Sequence, residues 1–273
     1  MNKIFDFHTH IFPEKIAAKA VEGIGAFYDG MLMRKAGTAS DLLAQLNQYG
    51  ICGAMTCSVA TSPEQAAVIN DFIASAVSVS QVSQNSQAVL VGFAALHPDM
   101  TTDELERELE RATALGLRGV KLHPDIQRFE ADGERAFKVY EVLGRYELPM
   151  LIHAGDNRFA FSNPHRIANV AQAFPQQVII AAHFGGWSEW DDAVLALADC
   201  RNVYVDTSSS LYAVTTEKAS EMIAAFGEDR VLFGTDYPMW DAGEELQLID
   251  KLNLSETAKA KILYDNAAEL LKL

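Results

Sequence analysis

Apolar runs of strand length recur along the chain, and stretches with helical spacing of apolar side chains separate them. The runs are Lys3 to His8, Ile51 to Cys57, Ala88 to Leu96, Gly119 to His123, Pro149 to His153, Val178 to His183, Val203 to Asp206 and Val231 to Asp236. Each predicts a short β-strand. Between them, Asp41 caps a segment through Tyr49 whose Leu42, Leu43 and Leu46 share one helical face, and Asp103 opens another with Leu105, Leu109 and Ala112. Helical patterns also run through Glu134 to Tyr146, His165 to Phe174, Asp191 to Asp199, Glu217 to Phe226 and Glu244 to Leu252. Gly50, Gly116 and Gly227 stand where helices should stop, and Pro149 stands at a strand start, where its missing donor matters least.

This alternation predicts an α/β fold, a closed (β/α)8 TIM-type barrel rather than an open doubly wound sheet. No glycine-rich dinucleotide fingerprint follows the first strand. Instead the chain leaves His10 into a stretch, Ile11 to Ala39, predicted to be irregular; a first βα loop of that size serves as a lid or pocket wall. Ser255 to Leu271 predicts one extra C-terminal helix, capped at Ser255 and apolar at Leu263, Ala267, Leu270 and Leu271. With 273 residues, 49% of them hydrophobic, the chain can bury a sizeable core, so residues 1–273 are expected to form one domain.

Composition narrows the partners. An excess of 37 acidic over 22 basic residues gives a formal charge of −15, which repels phosphate backbones and anionic lipid. Neither nucleic acid nor a membrane surface is an expected partner. The charge says little about the substrate, because a bound dication and a few local bases can reverse the potential inside a cleft. Strand-like sequence begins at Lys3, which leaves no room for a signal peptide, and no apolar run reaches the roughly 18 residues that span a bilayer. A soluble, cytoplasmic protein is expected. Cys52, Cys57 and Cys200 are an odd set without paired zinc spacing and are expected to be buried free thiols.

Chemistry-bearing residues gather at the C-terminal ends of the predicted strands. His8 and His10 end the first, Lys121 and His123 end the fourth, and His153, His183, Asp206 and Asp236 end the fifth to eighth. In a parallel barrel those ends share the face on which active sites are built. Alternation puts Asp6, His8 and His10 on one side of the first strand, and two imidazoles so spaced can grip one cation. Neutral imidazole with carboxylate suits zinc, iron, manganese or cobalt, and about three to five ligands leave a position for an activated water.

In their order, Phe5-Asp6-Phe7-His8-Thr9-His10, Leu151-Ile152-His153-Ala154-Gly155, Ala182-His183-Phe184-Gly185-Gly186, Phe233-Gly234-Thr235-Asp236-Tyr237-Pro238 and Asp265-Asn266-Ala267-Ala268-Glu269-Leu270 are specific. The chain resembles the amidohydrolase superfamily over essentially its whole length. It resembles more closely the amidohydrolase-related (amidohydrolase 2) branch, which includes decarboxylases similar to aminocarboxymuconate semialdehyde decarboxylase. The resemblance implies that His8, His10 and His153 ligate a metal, with Asp236 a further ligand or the base beside the bound water. It gives His183 a catalytic part, as a second-metal ligand or in steering the substrate. Lys121 is either a carbamylated bridge between two metals, as in some relatives, or a free ammonium that meets a carboxylate. His123 is a candidate substrate contact and departs from the decarboxylase pattern; Arg158 is a candidate partner for an anionic substrate. Asp206 is expected to be structural, and Trp187 to be packing.

The expected reaction is hydrolysis of an amide, lactone or ester of a small molecule by a metal-activated water. Asp236 takes the proton and returns it to the leaving group, while the metal, His183 or Lys121 steadies the oxyanion. The alternative is metal-dependent, non-oxidative decarboxylation of an unsaturated or aromatic carboxylic acid. Zinc is the first expectation for the cofactor, with manganese, iron or cobalt compatible, at one or two ions per chain. A homodimer is the general prior for a symmetric oligomer.

Overall fold

The structure, a computed structural model, describes residues 3–82 and 88–273. Its strands are β1 (Phe5–His10), β2 (Gly53–Cys57), β3 (Val89–Gly92), β4 (Ala94–Ala95), β5 (Val120–Leu122), β6 (Met150–Ile152), β7 (Ile179–Ala181), β8 (Val203–Asp206) and β9 (Val231–Leu232). All neighbours pair in parallel, β1 to β3 in one ladder and β4 to β9 in another, in sequential order. Backbone bonds join the two ladders at both seams. Phe93 N donates to Thr56 O at 3.0 Å and Ala94 N to Gly119 O at 2.7 Å, so β3 and β4 act as the one strand expected over Ala88 to Leu96. At the other seam Phe7 N donates to Phe233 O at 2.7 Å and Asp236 N to His8 O at 2.8 Å, and Thr9 bridges Tyr237. The result is the expected (β/α)8 barrel.

Alternation sorts the strand side chains into two clusters. Phe5, Phe7, Met55, Phe93, Leu151 and Ile180 pack with Ala267 and Leu271 of the C-terminal helix. Ala54, Leu90, Val120, Ile152, Ala181 and Val205 instead join the cluster formed with the surrounding helices. Burying large apolar side chains on both sides, at about 1.5–3 kcal/mol each, is what these near-continuous apolar strands provide.

Several expectations change in detail. The Ile11 to Ala39 stretch is not wholly irregular: Glu14–Phe27 is a helix, begun after Pro13, whose fixed φ suits a helix start. Asp41 does not cap its helix. Thr38 does, accepting from Asp41 N, and Thr101 rather than Asp103 caps Thr102–Ala114 through a reciprocal box with Glu104. A helix at Gln65–Val82 has no counterpart among the expected segments. Its apolar side chains surround it, which blurs the amphipathic signal. Ser255 caps the C-terminal rod as expected, and a π turn at Lys261–Asp265 interrupts it. Gly50, Gly116 and Gly227 do end helices, with φ of +66°, +86° and +86°. Cys57 is buried, Cys52 and Cys200 are half-buried, and all three are free. Among the described residues no helix is long and apolar enough to cross a membrane.

Candidate metal centre

The register of β1 against β2 shifts between Asp6 and Thr9, and this bulge interrupts the expected alternation. Phe7 stays in the apolar interior while the next residue, His8, faces the barrel mouth. Asp6 does not join it. Its carboxylate accepts from Thr235 Oγ1 at 2.6 Å, Thr235 N at 3.0 Å and His8 N at 3.2 Å, tying β1 to the chain beyond β9.

His8 is held from behind. Asp206 Oδ2 lies 2.9 Å from its Nδ1, which assigns the proton to that nitrogen and turns the Nε2 lone pair toward the mouth. There His8 Nε2 and His10 Nε2 are 3.1 Å apart, and Asp236 Oδ1 stands 3.6 Å and 3.3 Å from them. Lys121 Nζ, on a side chain 1% exposed, reaches His8 Nε2 at 3.0 Å. Two imidazole nitrogens and a carboxylate oxygen pointed at one place need a proton or a cation between them. The donor set therefore fits a divalent cation, with the Lys121 ammonium as the chain's own positive charge at that spot.

The electrostatics follow from burial and neighbours. Burial and the Lys121 ammonium push His8 down to about 4, so it is neutral at pH 7. Burial would raise Asp206, but His8 and the donors around it outweigh that and hold the carboxyl down at about 2. Burial would likewise raise Asp236, and the neighbouring histidines keep it well below the usual carboxylate range. Burial lowers Lys121 as well.

His183 and Asp236 both have left-handed backbones, with φ of +60° and +56°. Such conformations cost free energy in non-glycine residues and concentrate at functional positions. His183 gives its Nδ1 to Ser208, whose carbonyl and hydroxyl lie at 3.1 and 2.9 Å, and its Nε2 meets His153 Nδ1 at 3.1 Å. The His8 and His183 rings stack 5.2 Å apart. His153 is thus one step from the His8, His10 and Asp236 group rather than inside it. It stacks on His123 at 4.0 Å, and its buried Nε2 has no hydrogen-bond partner among the described residues, with Asp125 Oδ2 3.7 Å away. Gly155, at φ +77°, lets this strand end approach the next, since a β-carbon there would lie 2.4 Å from Gly186 C.

His8, His10, Lys121, His123, His153, His183 and Asp236 all line one cavity of about 650 Å³. Arg158 does not. Its guanidinium bonds Asp156, Asp29 and the Phe27 carbonyl, and it lies among the rings of Phe27, Tyr28, Phe159 and Trp187 at 5.3–5.4 Å. Trp187 also donates to Tyr212 Oη. Two residues matter more than the sequence predicts. Asp206 supports His8, and Tyr28, from the first loop, bonds His123 Nε2 at 3.1 Å. The strand-end position of Asp206 was a usable signal; Tyr28 had none beyond lying in a long loop.

A parallel barrel with imidazoles and carboxylates converging at its strand ends belongs to the class of metal-dependent barrel enzymes. The chain is a member of the amidohydrolase family, whose model matches residues 5–273. Its fold is shared with an uncharacterized TIM-barrel protein from Bordetella bronchiseptica, at 21% identity, TM-score 0.79, and coverage of 99% of this chain and 98% of that one. A dihydroxybenzoic acid decarboxylase from Polaromonas sp. JS666, with bound manganese and the inhibitor 2-nitroresorcinol, is similar at 20% identity and TM-score 0.75, over 100% of this chain and 98% of that one. A probable 2-pyrone-4,6-dicarboxylic acid hydrolase from Acinetobacter baumannii, with citric acid bound, is similar at 16% identity and TM-score 0.67 over 100% of both chains.

Proposed function

We propose that this chain is a metal-dependent hydrolase that opens an ester, lactone or amide of a small molecule. The observation carrying the reading is the approach of Asp236 Oδ1 to the Nε2 atoms of both His8 and His10 in a site open to the cavity. His8, His10 and Asp236 would hold a divalent cation, with His153 and His183 completing its surroundings. Bound there, the ion would supply Lewis acidity, polarising a carbonyl and acidifying water.

The chain's residues do the rest. Asp236, anchored through Oδ2 by the Ser209 hydroxyl at 2.7 Å, takes the proton of the attacking water and returns it to the leaving group. Lys121 and His183 face the developing oxyanion, and Asp206 keeps His8 in one tautomer. His123, set by Tyr28, contacts the substrate. Manganese, named with the Polaromonas relative, and zinc are both served by this donor set.

A second reading, non-oxidative decarboxylation, is favoured by the apolar cavity wall, which disfavours a charged carboxylate relative to neutral CO2. In it Asp236 or a histidine delivers the proton to the carbon that CO2 leaves. The test is metal content by elemental mass spectrometry on protein purified without chelator, beside a His8→Ala, His10→Ala double variant, followed by a panel of aryl esters, lactones and aromatic acids. At least one divalent equivalent, lost in the variant, with acid release and no CO2, is the expected outcome. CO2 evolution moves the reaction to the second reading, and no ion recovered on reconstitution removes both.

A further inference from the structure

The histidine end occupies one extremity of the cavity; most of its wall lies elsewhere. The Glu14–Phe27 helix presents Ile16, Ala20 and Ile24, and the Gln65–Val82 helix presents Val68, Ile69 and Phe72. Both sets have helical spacing, so each helix turns an apolar stripe to the cavity, Ile69 and Phe72 packing against the core as well. Ile16 and Val68 are 51% and 71% exposed, so the stripes run outward to the cavity mouth. From Ile16 to Ile24 the wall is about 12 Å long, at 1.5 Å of helix rise per residue.

Charge on this wall is sparse and of one sign. Lys121 is the only lysine or arginine lining the cavity among the described residues, and it stands at the histidine end. Away from that end the one ionisable lining residue is Glu64. Arg158, which touches the first loop at Phe27 and Asp29, is already bonded to Asp156 and Asp29. A second anionic group on a substrate would meet apolar carbon, a carboxylate and the neutral side chains of Thr61 and Gln65, with no cation among the described lining residues there to pair with it.

We infer that the substrate is amphipathic: one polar head, an ester, lactone, amide or carboxylate seated at His8, His10 and Asp236, and an uncharged apolar body up to about 12 Å long running between the two helices. The inference rests on the proposed metal-dependent reading for its head group and on the wall alone for its body. Doubly charged compounds such as dicarboxylates are excluded as good substrates.

Calorimetric titration tests it. Metal-reconstituted protein is titrated with aceto-, hexano- and octanohydroxamate and with the ω-carboxylated counterpart of the last, and metal-free protein with butan-, hexan- and octan-1-ol. Affinity should rise up to about fourfold per methylene in both series, and the ω-carboxylate should bind at least tenfold more weakly than octanohydroxamate. Val68→Lys, on an exposed side chain, should narrow that last ratio about fivefold or more by giving the distal carboxylate a partner. Flat series in both forms, or an ω-carboxylate that binds as tightly as octanohydroxamate, overturns the inference. Chain-length gain with the alcohols but no hydroxamate binding leaves the wall standing and overturns the metal reading instead. An unchanged ratio in Val68→Lys counts against this wall as the place where the body lies.

Discussion

Asp206 supports the site without lining the cavity. It takes His8 Nδ1 with one oxygen and accepts from the His183 and Ser208 amides with the other, so one carboxylate sets two of the site's histidines. Asp206→Asn should lower metal affinity about 10–100-fold, the usual cost of losing such a support, measured by competition with a chromogenic chelator. Undiminished affinity would remove the support role. Asp236→Asn, assayed with the divalent ion in excess to offset the lost carboxylate ligand, should lose about 10²–10⁴-fold in turnover, the worth of a general base; a fully active variant would exclude Asp236 as the base. The residues facing the mouth were legible in the sequence because apolar strands with a polar terminal residue point that residue at one barrel face. What joins them was not. Nothing in Val203 to Asp206 tells which imidazole its carboxylate will meet, and the β1 bulge that separates Asp6 from His8 is set by pairing with β2 rather than by local composition.

The strands and the helices packed against them were readable at the scale of elements, since burial on both sides leaves an unbroken apolar run and a solvated helix leaves a 3.6-residue period. The two helices that build the cavity wall were the ones missed. Gln65–Val82 divides its apolar residues between packed neighbours and the cavity and shows no single clean stripe, whereas Glu14–Phe27 has one, at Ile16, Ala20 and Ile24, inside a stretch whose proline and glycines read as irregular. The first of them is pinned at its end by Arg158, which bonds the Phe27 carbonyl and Asp29, and Tyr28 then reaches His123. Arg158→Ala should therefore free the helix end. Amides of residues 24–31 should exchange at least tenfold faster by mass spectrometry while the barrel strands keep their protection. Equal exchange in the two proteins would show that the packing of Phe27 on Phe159 and of Tyr28 on Trp187 suffices without the guanidinium.

Across the molecule, the acidic chain places several carboxyls where water cannot reach them, and this gives folding a particular pH dependence. Burial pushes Glu245 up to about 8, and its Oε2 has no hydrogen-bond partner among the described residues. Burial likewise lifts Asp125 to about 7. A carboxyl whose pKa is higher folded than unfolded binds more protons in the native state, so stability is greatest below the unfolded value and falls as pH rises through the folded one. His8, pushed down to about 4, acts in the opposite sense and adds stability as pH rises toward its ordinary value of 6.5. Above pH 7 that gain is complete, and the Glu245 contribution remains, at up to about 1.4 kcal/mol per pH unit. Beside it stands that of His10, which, against burial, Cys57 and Asp236 lift to about 9 and which likewise loses stabilisation as pH rises. The urea midpoint of metal-free protein should therefore drop between pH 7 and 8.5. Glu245→Gln, which keeps the shape and removes the charge, should flatten the drop and be the more stable protein at pH 8.5. Parallel curves for the two proteins would mean that water or a neighbouring donor reaches Glu245 in solution and that its burial does not govern the slope.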